Sequence, residues 1–252
     1  MPHPIRDQLP LLARDTVAAF GLLSRIPVPF TPPRADGVWA WPLVGLVTGA
    51  VALGLGGLCL WAGVSVGVTA VLVMAVQAAL TGALHEDGLA DCADGFWGGQ
   101  TPARRLEIMK DSRIGSYGAV ALMLALLARW SALAALMSAG AWGLALAALI
   151  LSRAAMGLMM AALPNARAGG LSARHGAPSW AAALAGAGLA LGLGLGAAGA
   201  AILGLAVVAG LVTAGLAGVA RAKIGGQTGD VLGAAQVLAE IAALTLATAF
   251  LP

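Results

Sequence analysis

The stretch PLVGLVTGAVALGLGGLCLWA, residues 42–62, contains no charged side chain. As a helix rising 1.5 Å per residue it spans roughly 30 Å, the thickness of a bilayer's hydrocarbon core. Similar apolar runs lie at 64–84, 117–137, 141–162, 180–198, 200–219 and 232–251. Together they predict an all-α fold: a polytopic integral membrane helix bundle of about seven transmembrane helices. Composition agrees, because 60% of the 252 residues are hydrophobic and only 10% are charged, against about a quarter in water-soluble domains. The glycines sit inside apolar runs, as in GLALGLGLGAAGAAILGLA at 188–206. There they permit close helix approach instead of forming linkers or a collagen repeat.

The connections are unequal. Those near 63, 139 and 199 are short and uncharged, whereas 85–116, 163–179 and 220–231 are polar and carry lysine or arginine. With seven spans, the N-terminal segment and all three polar connections share one side, which collects every basic residue except Arg129 and Arg153. The excess of positive charge assigns that side to the cytoplasm, and so predicts a multi-pass membrane protein with these connections on its cytoplasmic face. The N-terminus lacks an uninterrupted apolar core, since Arg14 and Asp15 break it, so no cleaved signal is expected. Residues 9–24 read as a short amphipathic helix at the interface, ended by Pro27 and Pro29, within an N-terminal segment 1–41 of a single membrane domain, 1–252. Cys59 lies in an apolar run and Cys92 in a polar segment, so two free thiols are expected. A net charge of +3 with no long basic stretch excludes nucleic acid as a partner. No internal repeat is evident, and a homo-oligomer is compatible with the sequence.

The chemistry concentrates in HEDGLADCADGFWGGQTPARRLEIMKDSRIGSYG, residues 85–118. Six of the eleven acidic residues fall between 86 and 111, which marks 85–116 as an acidic catalytic loop on the cytoplasmic face. Asp87, Asp91 and Asp94 are spaced i, i+4, i+7. If the second span continues as a helix past its end, they lie on one face about a turn apart. Three stacked carboxylates repel one another unless a divalent cation sits among them. Hard oxygen ligands at an open site suit Mg²⁺ or Mn²⁺ with phosphate oxygens completing the shell. A solvated acidic helix end is the plainer reading. His85 is a candidate general base, metal ligand or interfacial residue. Glu86 points about 100° away from Asp87, toward solvent or a supporting position.

In KDSRIGSYG, Arg113 can grip phosphate oxygens in a fork while Asp111 orients it or adds a metal ligand; an interfacial salt bridge is the alternative. Arg104, Arg105 and Lys110 read as ordinary cytoplasmic-side charges. The stretch RAKIGGQTGDVLGA, 221–234, is a glycine-rich turn entering the seventh span. Backbone N–H groups at Gly225 and Gly226 can cradle a phosphate, with Thr228 adding a hydroxyl and Lys223 a charge. Asp230 is expected to cap the helix, which is the structural alternative for the whole turn. Arg129, Arg153 and Glu240 lie within spans, where an unpaired charge costs at least ~2.5 kcal/mol and so faces a bundle interior. Arg153 is the best placed to line a site, and Glu240 to pair with either arginine.

Taken together, HEDGLADCADG, MKDSRIGSYG, LSR at 151–153 and KIGGQTGDVLGA, with SRIPVP at 24–29 and WPLVGLVTGA at 41–50, resemble the cobalamin synthase family, adenosylcobinamide-GDP ribazoletransferases. The resemblance spans most of the chain. It implies a Mg²⁺-dependent membrane enzyme that joins adenosylcobinamide-GDP to α-ribazole or α-ribazole 5′-phosphate and releases GMP. By motif position it implies an acidic metal-binding cluster at Asp87, Asp91 and Asp94 with His85 beside it. Asp111, Arg113, Arg153 and the 225–230 turn become further site residues. Attack of a ribose hydroxyl on phosphorus then needs relief of diphosphate charge and a route for the proton, which His85 or Asp94 could provide. No activated serine or cysteine nucleophile is evident, which favours direct displacement. Two rivals fit less well. A CDP-alcohol phosphotransferase has a motif with an arginine and aspartate spacings absent from DGLAD, and a cation transporter needs its acidic site near the bilayer midplane.

Overall fold

The computed structural model describes residues 11–251. Residues 1–10, where the N-terminal segment and the interfacial helix are expected to begin, lie outside the described residues. The chain forms an all-α bundle: among the described residues there are eleven α-helices, one short 3-10 helix (Ala35–Ala40) and a single isolated β-bridge. The interfacial helix is α1 (Leu11–Leu23). The long helices are α2 (Trp41–Trp61), α6 (Ser116–Ser138), α7 (Trp142–Ala162), α9 (Trp180–Ala198), α10 (Ala201–Ile224) and α11 (Gly229–Thr248). Each of these six is long and apolar enough to cross a membrane, and α3 (Val66–Thr81) with α4 (Leu84–Gly98) supplies a seventh if that bent pair counts as one span. Two short helices complete the set, α5 (Pro102–Ile108) and α8 (Leu171–His175).

The bundle is organised around α7 and α11. The apolar window of α7 is 78% buried and that of α11 67%, whereas the other long helices are 22–39% buried. Small residues make this packing possible. A Cβ on Gly45 of α2 would lie 2.6 Å from the carbonyl oxygen of Leu149 on α7, so the two backbones touch.

At the end of α3 the chain departs from expectation. The second span does not run on as one helix through the aspartates. Gly82 (φ +66°) and Ala83 (φ +54°) both adopt the left-handed conformation, and α4 leaves at 89° to α3. Glycine takes that geometry freely, whereas Ala83 bears about 1–2 kcal/mol for it. At 16 residues α3 is roughly 24 Å long, and α4 turns across the polar end of the bundle. The acidic segment is therefore two helices, α4 and α5, instead of a loop.

The other segments at this end are tied down by polar contacts. Asp15 of α1 is buried and pairs with Arg34 at 3.2 Å, and it also accepts a hydrogen bond from Trp39 Nε1 at 3.1 Å. Asp36 accepts from the backbone N–H of Ser179 at 2.8 Å, just before α9. Both cysteines are free.

Candidate active site

Helices α4 and α11 cross at two glycines. A Cβ on Gly88 would sit 2.6 Å from the backbone oxygen of Asp230, and one on Gly233 would sit 3.2 Å from the Cα of His85. With hydrogen atoms at both points the crossing brings Asp87 and Asp91 of α4 beside Asp230 of α11. The negative charges of Asp87, Asp230 and, less strongly, Asp94 act on Asp91. Arg167, from the segment after α7, adds the positive charge and donates to Asp230 at 3.2 Å. Asp87, Asp230 and Arg167 open onto a cavity of about 330 Å³. Its apolar wall includes Trp41, Met156 and Met160, and its polar wall includes His85 and His175.

Asp94 is engaged differently. It is buried, and its two carboxylate oxygens accept from the N–H groups of Gly115 (2.7 Å) and Gly118 (2.9 Å), so it caps the start of α6. Free amides at a helix N-terminus attract a carboxylate strongly. Asp94 thus keeps its place on the face read from i, i+4, i+7 spacing but has its oxygens held by α6, while Asp230 joins Asp87 and Asp91 from α11. Among the described residues no group of three or more His, Cys, Asp or Glu stands ready to hold a metal ion. Mg²⁺ does not require one, because it commonly binds through one or two carboxylates and completes its octahedron with water and substrate phosphate. Asp87 and Asp230, which open onto the same cavity, are the carboxylates that could hold such a cation with substrate oxygens.

Beneath the cavity lies a buried charge network. Arg129 of α6 reaches Glu86 at 2.7 Å, Glu240 of α11 at 2.8 Å and Gln77 of α3 at 2.9 Å. Gln236 bridges Glu240 (2.6 Å) to Ser152 of α7 (2.9 Å). Arg153, also on α7, donates through Nη1 to the ring of His85, with the closer approach at Nε2. Glu86 therefore faces inward to an arginine, not toward solvent, and Glu240 pairs with Arg129. Arg153 lies under the site and holds His85. The gap among these groups is about 10 Å³, room for one water at most.

The remaining candidates lie elsewhere. Arg113 and Asp111 form an exposed ion pair at 2.6 Å, which holds the Asp111 carboxyl down at about 2. They line a separate hollow near α6 with Asp94 and Tyr117, away from the Asp87 cavity. Lys223 lies over the ring of Trp97, 5.4 Å from its centroid, and not toward the aspartates. The glycine turn is a packing device. Gly225 (φ +80°) ends α10, and a Cβ on Gly226 would clash with the carbonyl oxygen of Pro164. Gln227 exchanges backbone hydrogen bonds of 2.8 Å with Pro164 and Ala166, so the turn is stitched to the segment carrying Arg167. The cap of α11 is Thr228, whose hydroxyl accepts from the N–H of Val231 and donates to Asp230. Asp230 is thereby left free to face the cavity from the first turn, in place of its expected capping role.

Two ionisable residues of the cavity escaped the sequence reading, Arg167 and His175. Their segment was recognisable as a polar connection at the active end, but no spacing links either residue to the aspartates.

The chain matches the model of the cobalamin-5-phosphate synthase family over residues 15–248. It is 45% identical over 247 residues to an adenosylcobinamide-GDP ribazoletransferase of Bradyrhizobium diazoefficiens, covering 94% of each chain. Proteins of the same name from Mesorhizobium japonicum (42% over 240 residues, 93% of this chain and 92% of the relative) and Brucella ovis (41% over 255 residues, 92% and 95%) are similar over nearly their full lengths. No solved structure matches the chain significantly.

Proposed function

The chain belongs to the cobalamin-5-phosphate synthase family, and from that membership we propose that it joins adenosylcobinamide-GDP to α-ribazole or α-ribazole 5′-phosphate, releasing GMP. The product is adenosylcobalamin or its 5′-phosphate. The observation that carries this reading is the cavity where Asp87, Asp230 and Arg167 converge, in a chain whose relatives are named for that transfer.

Asp87 and Asp230, with Asp91 beside them, would hold Mg²⁺, which supplies relief of negative charge on the diphosphate when bound. Arg167 grips a phosphate oxygen from the opposite side, where its fork is already aimed by Asp230. The single hydroxyl in the cavity wall belongs to Ser172, and it is held between Gln227 (2.6 Å) and Asn165 (3.0 Å). No base activates it, so the ribose hydroxyl attacks phosphorus directly. A space of about 330 Å³ is at the small end of ligand pockets. The concentration of basic residues at this end supports an active site facing the cytoplasm from the bacterial inner membrane.

The test uses purified protein with Mg²⁺, adenosylcobinamide-GDP and α-ribazole 5′-phosphate. GMP and cobalamin phosphate are expected in equal amounts with inversion at phosphorus. Retained configuration would refute direct transfer. Transfer from CDP-diacylglycerol to a small alcohol, with no corrinoid activity, would refute the substrate assignment.

A further inference from the structure

Two histidines line the cavity, and their hydrogen bonding separates them. His85 faces Arg153, whose guanidinium only donates, so the ring nitrogen that meets it must supply a lone pair. A neutral imidazole has one such nitrogen, and the other carries hydrogen. Arg153 Nη1 lies within reach of both ring nitrogens of His85, so its lone pair is already engaged by a guanidinium and is not open to a hydroxyl proton. Asp94, the other candidate base, spends both oxygens on the α6 amides.

His175 is placed differently. It ends α8 and is only 8% exposed; the Ala35 carbonyl draws on the ring's N–H, and no side chain engages the remaining nitrogen. The ring packs against Trp41 at 5.5 Å between centroids, which fixes its orientation beside the cavity. A buried imidazole with an open nitrogen costs stability unless a ligand engages it. We propose that His175 accepts the proton of the attacking ribose hydroxyl, an assignment that rests on the transfer reaction proposed above.

In that step the hydroxyl oxygen bonds to the phosphorus carrying cobinamide. The bond from that phosphorus to the bridging oxygen breaks, and its electron pair leaves with GMP. The hydroxyl proton moves to His175, from which solvent removes it after product release. Burial lowers the pKa of His175 below its ordinary 6.5, against the opposing pull of the Ala35 carbonyl and Asp15, so the ring is unprotonated at neutral pH. The charged and titratable groups around the ring and its cavity are Asp15 of α1, His85 and Asp87 of α4, Arg167, and Asp230 of α11.

The experiment compares the parent with His175→Gln, both full-length in lipid nanodiscs with Mg²⁺, adenosylcobinamide-GDP and α-ribazole 5′-phosphate. The variant is expected to lose about 100-fold or more in kcat, the size of a general-base contribution. Both KM values should stay within about threefold. The parent's kcat should fall with acid through an inflection below 6.5 that the variant lacks, and added imidazole should restore rate to His175→Ala. Equilibrium binding of adenosylcobinamide-GDP to His175→Gln should match the parent's. A kcat within about threefold of the parent, a loss confined to KM, or a joint loss of binding and turnover would each overturn the assignment. If the parent itself releases no GMP, the transfer reading falls and takes the assignment with it. An active parent with an unaffected variant removes His175 alone.

Discussion

Replacing Arg129 by methionine should destabilise the protein by about 3–5 kcal/mol, the range for removing one partner of a buried ion pair. Its guanidinium joins three helices, through Glu86 of α4, Glu240 of α11 and Gln77 of α3. Arg129 is 3% exposed and Glu240 2%, so water cannot take over its role. Two arginines and two glutamates balance here, and Arg153 acts on both carboxylates from further away. Without Arg129, one negative charge is left uncompensated. Each pair at about 4 Å is worth about 4 kcal/mol at an effective dielectric near 20. At about 2–4 °C per kcal/mol for a chain of this size, Tm should drop by about 6–20 °C. The assay is thermal unfolding in detergent followed by size-exclusion fluorescence. Adding Glu240→Gln to Arg129→Met should recover at least half of the loss, because it removes the stranded charge. A single variant within about 3 °C of the parent, or a double variant whose loss equals the sum of the two single losses, would refute the pairing argument.

Asp87→Asn and Asp230→Asn should each raise the Mg²⁺ concentration for half-maximal GMP release by about tenfold or more, as expected when a metal ligand is lost. Asp94→Asn should shift it less than about twofold while lowering Tm by about 1–8 °C, the effect of losing a cap worth about 0.5–2 kcal/mol. Equal displacement of the metal titration in all three would return Asp94 to the metal site. Gly88→Val should cut turnover at least about tenfold while the protein still inserts, because its side chain meets the Asp230 backbone and pushes α4 off α11. Gly169→Ala, which meets nothing within 4 Å, is the control, and similar behaviour of the two would show that the crossing distance does not matter.

Much of the bundle was legible because a bilayer imposes length and apolarity on every crossing helix, and both are visible in a run such as 42–62. The crossing at 64–84 was legible only in part. Ala83 in a left-handed conformation carries no sequence signal, and the bend there decides which way the aspartates face. Asp87 and Asp91 were recognisable from spacing within one helix. Asp230 was legible as part of the phosphate-binding turn, with capping as its local role, but Thr228 two places earlier is an equally good capping residue and took that role. Asp94 follows the helical spacing, but its oxygens are held by amides at Gly115 and Gly118, contacts that local periodicity does not reveal. Arg167 and His175 reach the site only through the pairing of their segment with the glycine turn, which is long-range.

The adjacent pair Glu86 and Asp87 shows how the site is held together. On a helix these side chains diverge by about 100°. Glu86 points inward to Arg129, while Asp87 lines the cavity near Asp230. Like charges gathered around the cavity push α4 and α11 apart. The opposing force comes from the inner face of the same helix, where Glu86 is bonded to Arg129 and His85 to Arg153, and Arg129 is paired in turn with Glu240 of α11. In a medium of low dielectric such pairs are strong only when every partner is present. The charges inside the bundle therefore act as the clamp that holds α4 against α11 despite the repelling carboxylates. A bundle with the same aspartates and an apolar interior would be expected to let α4 lift away until substrate and metal arrived together.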